Sequence, residues 1–208
     1  MNALGGSITK GRKYEQVLKG ARQVFLADGF EGASVDDIAK ASGVSKATLY
    51  SYFPDKRLLF TEVFRVECKR QTDQAMANID MCAPAGTVLR AAASHMVRFL
   101  LSDFAQSVYR ICVAEAERFP ELGREFYNSG PRVGKETIAA FLSLAVSRGD
   151  LRIDDIDLAA YQFAELCKAD IFHKRVFGVR DEFSKDEIDR VIDGAVDMFL
   201  ARYGAARS

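Results

Sequence analysis

The twenty residues from Ser34 to Phe53 constrain this chain more than any other stretch, because they spell two short helices around a tight glycine turn. Val35, Ile38, Ala39 and Ser42 recur at i, i+3, i+4 and i+7, one face of a 3.6-residue period. Ser34 stands where an N-cap belongs, with Asp37 three residues on as a weak capping-box partner. Gly43 supplies the positive φ that a sharp stop requires. Ser45 then caps a second helix, with Leu49 and Phe53 directed inward and Lys46, Ala47, Thr48 and Tyr50 outward. Two helices crossing at a three- or four-residue turn with Gly form a helix-turn-helix, whose second helix enters the DNA major groove.

The outward side chains suit that task. Ser45 and Thr48 bring hydroxyls to a helix N-terminus, where backbone N–H groups and the dipole already favour a phosphate. Lys46 can reach a phosphate or a guanine edge, and the Ala47 methyl can touch a thymine methyl. Tyr50 offers a rigid ring with a phenolic donor for backbone phosphates. Beyond Pro54 and Asp55, Lys56 and Arg57 add two cations at the start of the next helix. An ordinary helical hairpin would need none of these choices to coincide.

Residues 13–60 resemble the N-terminal DNA-binding domain of the TetR/AcrR family of transcriptional regulators. The resemblance rests on Ala21, Phe25, Gly29, Ile38, Ala39, Gly43, Val44, Ser45, Thr48, Leu49, Tyr50, Tyr52, Phe53, Lys56 and Leu59. Lys46 occupies a position where the family often has a small residue, and so is a candidate for individual operator preference. From Phe119 to Phe199 the chain is also similar to the AefR-type C-terminal domain of that family, through residues 119–127 and 148–152. Ser34, Ser45, Lys46, Ala47, Thr48, Tyr50, Tyr52 and Lys56 are therefore the expected DNA-binding residues.

Charge is consistent with this once its distribution is considered. The chain of 208 residues balances 29 Lys/Arg against 29 Asp/Glu, which by itself argues against a polyanion binder. Residues 1–57, however, carry nine Lys/Arg and six Asp/Glu, and phosphate contacts act locally. No apolar run approaches a membrane span of about 18 residues, and the N-terminus lacks a signal-peptide core. The expectation is a soluble cytoplasmic protein without membrane contact. Cys68, Cys82, Cys112 and Cys167 show no metal-binding spacing and read as free, mostly buried thiols. No metal and no cofactor is expected.

The rest of the pattern is helical throughout, with segments near 11–28, 55–81, 86–105, 107–117, 132–148, 157–177 and 184–203 and a break or kink around Pro131. Ser184 with Glu187 reads as a capping box. The expected fold is all-α, about nine helices in total. A three-helix helix-turn-helix domain at 1–55, with residues 1–8 a disordered tail, precedes a ligand-binding and dimerisation bundle at 56–208.

The last two long helices are apolar over more than one face, which points to a second partner beyond the chain's own core. Phe172, Val191, Ala195 and Phe199 are the expected dimer contacts, and the family resemblance implies the same two helices. Aromatic residues crowd the second half of the chain, and polar groups interrupt its apolar stretches. A pocket for an apolar or aromatic small molecule is expected there, with His95, Phe99, Tyr109, Glu115, Phe163 and Glu165 as its wall.

Two alternatives compete with a DNA-binding regulator. A helical enzyme could use Glu115, Glu165 and the two His as acid–base groups, but no Glu-x-x-His pair, nucleophile elbow or phosphate loop occurs. A protein-interaction module that no longer binds DNA would have no use for Ser45, Thr48, Tyr50 and Lys56. The reading is thus a homodimeric regulator on a palindromic double-stranded operator, foremost a repressor released by a small-molecule effector, although activation would use the same parts.

Overall fold

A computed structural model describes residues 11–205, which form eleven helices. In chain order these are α1 (Arg12–Gly32), α2 (Val35–Ser42), α3 (Lys46–Tyr52), α4 (Lys56–Asn78), α5 (Ala85–Leu101) and α6 (Asp103–Glu115). There follow α7 (Pro120–Ser129), α8 (Pro131–Ser147), α9 (Ile156–Leu166), α10 (Ile171–Val176) and α11 (Lys185–Tyr203). The all-α expectation holds, with two more helices than the nine or so anticipated. The interruption near Pro131 is a break, because Gly130 leaves helical geometry (φ −114°, ψ −83°) and Pro131 opens α8. The segment 157–177 divides at Asp170, whose φ of 64° is unusual for a side-chain-bearing residue. Ion pairs from Asp170 to Lys174 at 2.6 Å and to Arg190 at 3.3 Å tie that corner down. The expected tail at residues 1–8 lies outside the described residues.

Local chemistry explains the helix ends. Ser34 accepts the Asp37 N–H at 3.0 Å, Ser45 the Thr48 N–H at 3.1 Å, and Asp55 the Arg57 N–H at 2.8 Å. Ser184 and Glu187 complete a reciprocal capping box on α11. At the end of α2, Gly43 (φ 64°) donates to Lys40 O and Val44 to Ala39 O, both at 3.1 Å, which closes a Schellman motif.

Two apolar clusters organise the helices, and the first includes side chains on both sides of residue 55. The first joins Val17, Ala21 and Phe25 of α1, Ile38 of α2 and Leu49 of α3 to Leu59, Phe60, Val63 and Phe64 of α4. It continues into Phe104, Val108 and Cys112 of α6 and Leu122 of α7. The second gathers Leu89 of α5, Leu142 of α8, Phe163 of α9 and Ile192 and Phe199 of α11. Gly20 lets α1 and α2 meet at close quarters, since a Cβ there would lie 2.6 Å from the Ser42 backbone nitrogen. Among the described residues, no helix is long and apolar enough to cross a membrane.

The expected dimer contacts require correction. Phe172, Val191, Ala195 and Phe199 are all buried within the single chain, Phe199 packing edge-to-face on Phe163 at 5.1 Å between ring centroids. Apolar width on α11 is used by α5 on one side and α9 on the other. Cys68, Cys112 and Cys167 are buried thiols pushed up to about 12 by desolvation, whereas Cys82 is exposed.

A buried charge cluster locks α4 to α1. Glu67, 4% exposed, accepts from Arg22 of α1 at 3.0 Å, from Gln71 at 2.9 Å, and from Arg70. Burial by itself would raise this carboxyl, but the donors Arg70, Gln71 and Arg22 outweigh burial and hold it at about 2. A depressed carboxylate stabilises the fold above its ordinary value near 4.5, and that contribution is lost as pH falls towards 2. Acid unfolding followed by circular dichroism should therefore show a stability loss across that window, and Glu67→Gln should flatten it. Phe199→Glu should lower the urea midpoint severely, since an unpaired charge in a core costs several kcal/mol. A folded monomer with the parent midpoint would contradict the burial of Phe199.

Candidate nucleic-acid interface

The second helix of the helix-turn-helix, α3, is short and depends on its cap. Ser45 receives the Thr48 N–H, and the Ser45 and Thr48 hydroxyls lie 2.9 Å apart, so both are held at the helix N-terminus. Leu49 is buried beneath, fixing which face of α3 looks out. Ser45, Lys46, Ala47 and Tyr50 are exposed on that face, Tyr50 at 48%, and Thr48 is half-buried. The structure thus brings together five of the eight residues expected to meet DNA. Ser34 is exposed but belongs to the cap of α2, where its hydroxyl accepts the Asp37 N–H and donates to the Asp37 carboxylate.

Lys46 forms an ion pair with Asp36 in the first turn of α2. Both side chains are more than half exposed, so the pair is weak in water and exchangeable for a phosphate or a base edge. The ammonium is thereby held near the start of α3 before DNA arrives.

Two expected contacts have other employment. Lys56 donates to Phe30 O at 2.8 Å and Ala33 O at 3.1 Å, and its ammonium lies 4.5 Å from the Phe30 ring centroid. It secures the end of α1 and the approach to α2 against α4, leaving one of three ammonium protons for anything else. Tyr52 is half-buried, its ring edge-to-face with Tyr14 at 5.7 Å. Sequence reasoning overlooked Arg12 and Lys13. They are exposed at the start of α1, beside the Tyr14 that packs on Tyr52 and Phe53 at the end of α3.

The expected pocket wall is dispersed. His95 is exposed on α5, and Glu165 is exposed and paired with Lys168. Phe163 is fully enclosed in the second core, and Glu115 is half-buried at the end of α6. Phe99 and Tyr109 belong elsewhere: Phe99 packs against the first core, and Tyr109 touches Phe126 and Phe172 at 6.1 and 5.5 Å between centroids. The six residues do not line one cavity. One turn before Tyr109, Gln106 is wholly buried, donating from Nε2 to Leu100 O at 2.6 Å while its Oε1 meets no partner among the described residues.

A cleft of about 560 Å³ opens between the helix-turn-helix and α7, lined by Tyr14, Tyr52 and Phe53 on one side and by Phe119, Glu121, Leu122 and Glu125 on the other. Asp55 and Arg57 sit at its edge, hydrogen-bonded to one another, and Arg57 rests on the Phe119 ring at 3.7 Å. The Arg57 hydrogen bonds hold the Asp55 carboxyl below its usual range. Among the described residues, no group of His, Cys, Asp and Glu is arranged to hold a metal ion.

Comparison with known proteins places this geometry in a family. Residues 17–63 match the profile of bacterial regulatory proteins of the tetR family. Residues 87–205 match that of the C-terminal domain of AefR-like transcriptional repressors. A transcriptional regulator of Mesorhizobium loti assigned to the TetR family superposes with a TM-score of 0.85 at 27% identity, over 95% of this chain and all of that one. The flavonoid-responsive regulator FrrA superposes at 0.70 with 33% identity, over the same shares. The transcriptional repressor AcnR of Corynebacterium glutamicum is 24% identical over 197 residues, 93% of this chain and 96% of its own. With a helix-turn-helix whose reading face is preformed and profiles matching both halves, the chain belongs to the TetR family of DNA-binding transcriptional regulators and is not an enzyme.

Proposed function

We propose that this regulator is a homodimeric repressor that binds a palindromic operator and leaves it when a small aromatic effector binds. Residues 1–55 supply the DNA-reading head and 56–208 the effector and dimer body, acting in the cytoplasm where the operator is. The observation that carries the DNA-binding part is the capped α3 face, with Ser45, Lys46, Ala47 and Tyr50 exposed on a helix whose opposite side is buried. A dimer must set two such helices about 34–36 Å apart to enter successive major grooves. AcnR, a repressor by name, supports the sign of regulation.

For the dimer surface, the outward row of α9 and α11 replaces the residues expected from sequence. Leu158 and Met198 are 51% and 64% exposed, and Gly194 would leave an added Cβ in open space. The Tyr203 hydroxyl donates to Gln162 at 2.6 Å and holds the two helices in register as one face. Small and apolar residues on such a face allow a second copy to approach closely.

An effector site near Tyr109 accounts for the unpartnered Gln106 oxygen, because a buried acceptor without a donor is costly. A phenolic hydroxyl would satisfy it, and the response of FrrA to flavonoids supports an aromatic ligand of that kind. Effector and DNA then oppose each other by linkage, with couplings of about 1–3 kcal/mol.

Gel shift of the full chain against its own upstream DNA tests the reading, with retardation expected and its absence contrary. Tyr50→Phe should weaken binding about tenfold on all sequences alike, with no change in the urea midpoint. Lys56→Ala should instead cost about 1–3 kcal/mol of stability, because two carbonyls lose their donor. A Lys56→Ala protein of parent stability would return that ammonium to phosphate binding. Met198→Glu should yield folded monomers by light scattering that bind a half-site weakly, and an intact dimer would move the interface elsewhere.

A further inference from the structure

Lys46 is the only charged residue of α3, and its ammonium is paired. The partner is the carboxylate of Asp36, in the first turn of α2, across the turn that separates the two helices. Lys46 lies on the exposed face of α3 with Ser45, Ala47 and Tyr50, so Asp36 places a negative charge beside the groups that meet DNA. The neighbouring Asp37 has a different task. It accepts the Ser34 hydroxyl at 2.5 Å while its own N–H goes to the same oxygen, which commits it to the cap of α2. Among the described residues, Lys46 is the one side-chain partner of Asp36.

A carboxylate is a costly neighbour for DNA, whose backbone carries a negative charge about every 1.7 Å of helix axis. A phosphate that takes hold of Lys46 comes within a few ångströms of Asp36, and like charges at that separation repel with little screening by salt. A base edge carries no net charge. Of the three ammonium protons Asp36 engages one, which leaves two for the O6 and N7 acceptors of a guanine. The carboxylate can at the same time accept an amino proton from a cytosine. The ion pair therefore separates the two ways in which Lys46 can meet DNA, penalising the phosphate and tolerating the base.

We propose that Asp36 is a specificity-determining residue, which directs Lys46 away from phosphates and onto a guanine edge. This rests on the operator-binding reading and adds to it a group that rejects the wrong contact instead of making the right one. Affinity for arbitrary DNA comes from phosphate contacts, so removing one such contact per chain lowers that affinity and widens the gap to the operator. Lys46 is then a base reader, and its loss is felt at one base-pair position in each half-site.

The test compares the full chain with Asp36→Asn, Lys46→Ala and the double variant, all of which change exposed side chains and should keep the parent melting temperature. Fluorescence anisotropy on a random-sequence duplex reads the phosphate-driven affinity. Enrichment from a randomised duplex pool gives the preferred sequence, and the ratio of the two affinities reads discrimination. Asp36→Asn should bind the random duplex about tenfold more tightly, with a salt slope steeper by about 0.9 per chain, and should lower the ratio about tenfold. Lys46→Ala should lose the preference for one G·C pair in each half-site. In the double variant the gain on random DNA should vanish, because Asp36 acts through Lys46. Unchanged affinity of Asp36→Asn for the random duplex, or an equal gain on random and preferred DNA, would overturn the proposal. So would a gain that persists without Lys46, since Asp36 would then be a general negative charge only. Failure of the operator reading looks different: the parent then enriches no sequence, and the four proteins on random DNA still decide whether Asp36 keeps Lys46 from phosphate.

Discussion

The packing of α4 against α1 and α7, with α6 resting on α1 and α7, is the constraint on which the rest of this structure depends. Leu59, Phe60, Val63 and Phe64 are nearly inaccessible, and burying side chains of this size contributes about 1.5–3 kcal/mol each. Glu67 adds a charged clamp to Arg22, and Lys56 adds a second through the Phe30 and Ala33 carbonyls. The helix-turn-helix therefore does not hang from a flexible hinge. It shares a core with α6 and α7, so a rearrangement of those helices would have to repack against α1 and α4.

In the proposed repressor, this arrangement would connect an effector near Tyr109 to the operator. Tyr109 and Phe126, on α6 and α7, touch the aromatic cluster that includes Phe64 of α4, with the Phe64 and Phe126 rings stacked at 5.0 Å. Under that proposal, a ligand displacing Tyr109 would repack Phe126 and Phe64, whose rings are in contact. The reading helix would be affected in turn, because Leu49 of α3 is seated in the same cluster. A few degrees of rotation at α4 suffice to spoil a spacing that both halves of a dimer must satisfy at once.

Sequence exposed those features whose causes are local. The caps at Ser34, Ser45 and Ser184 and the turn at Gly43 involve residues two to five positions apart, so the pattern of a single strand of text contains them. It could not contain the partners of Lys56, which lie 23 and 26 residues earlier, nor the break at Asp170, which Lys174 and Arg190 hold. The broad apolar stripe of α11 was equally ambiguous: a second copy or two neighbours in the same chain fit it, and α5 and α9 are those neighbours. The pocket wall failed for the same reason. Phe163 and His95 both sit in helical apolar stretches, yet one is sealed in a core and the other faces solvent.

Native-state hydrogen exchange of the free chain tests the shared core most directly. If α1 and α4 form one cooperative unit with α6 and α7, amides near Ala21, Val63 and Val108 should open with a common free energy. That energy should shift in all three places when Glu67→Gln weakens the clamp. Exchange in α1 at a distinctly lower free energy than in α6, with Glu67→Gln affecting α1 alone, would show the head to be an independently opening domain and contradict the account.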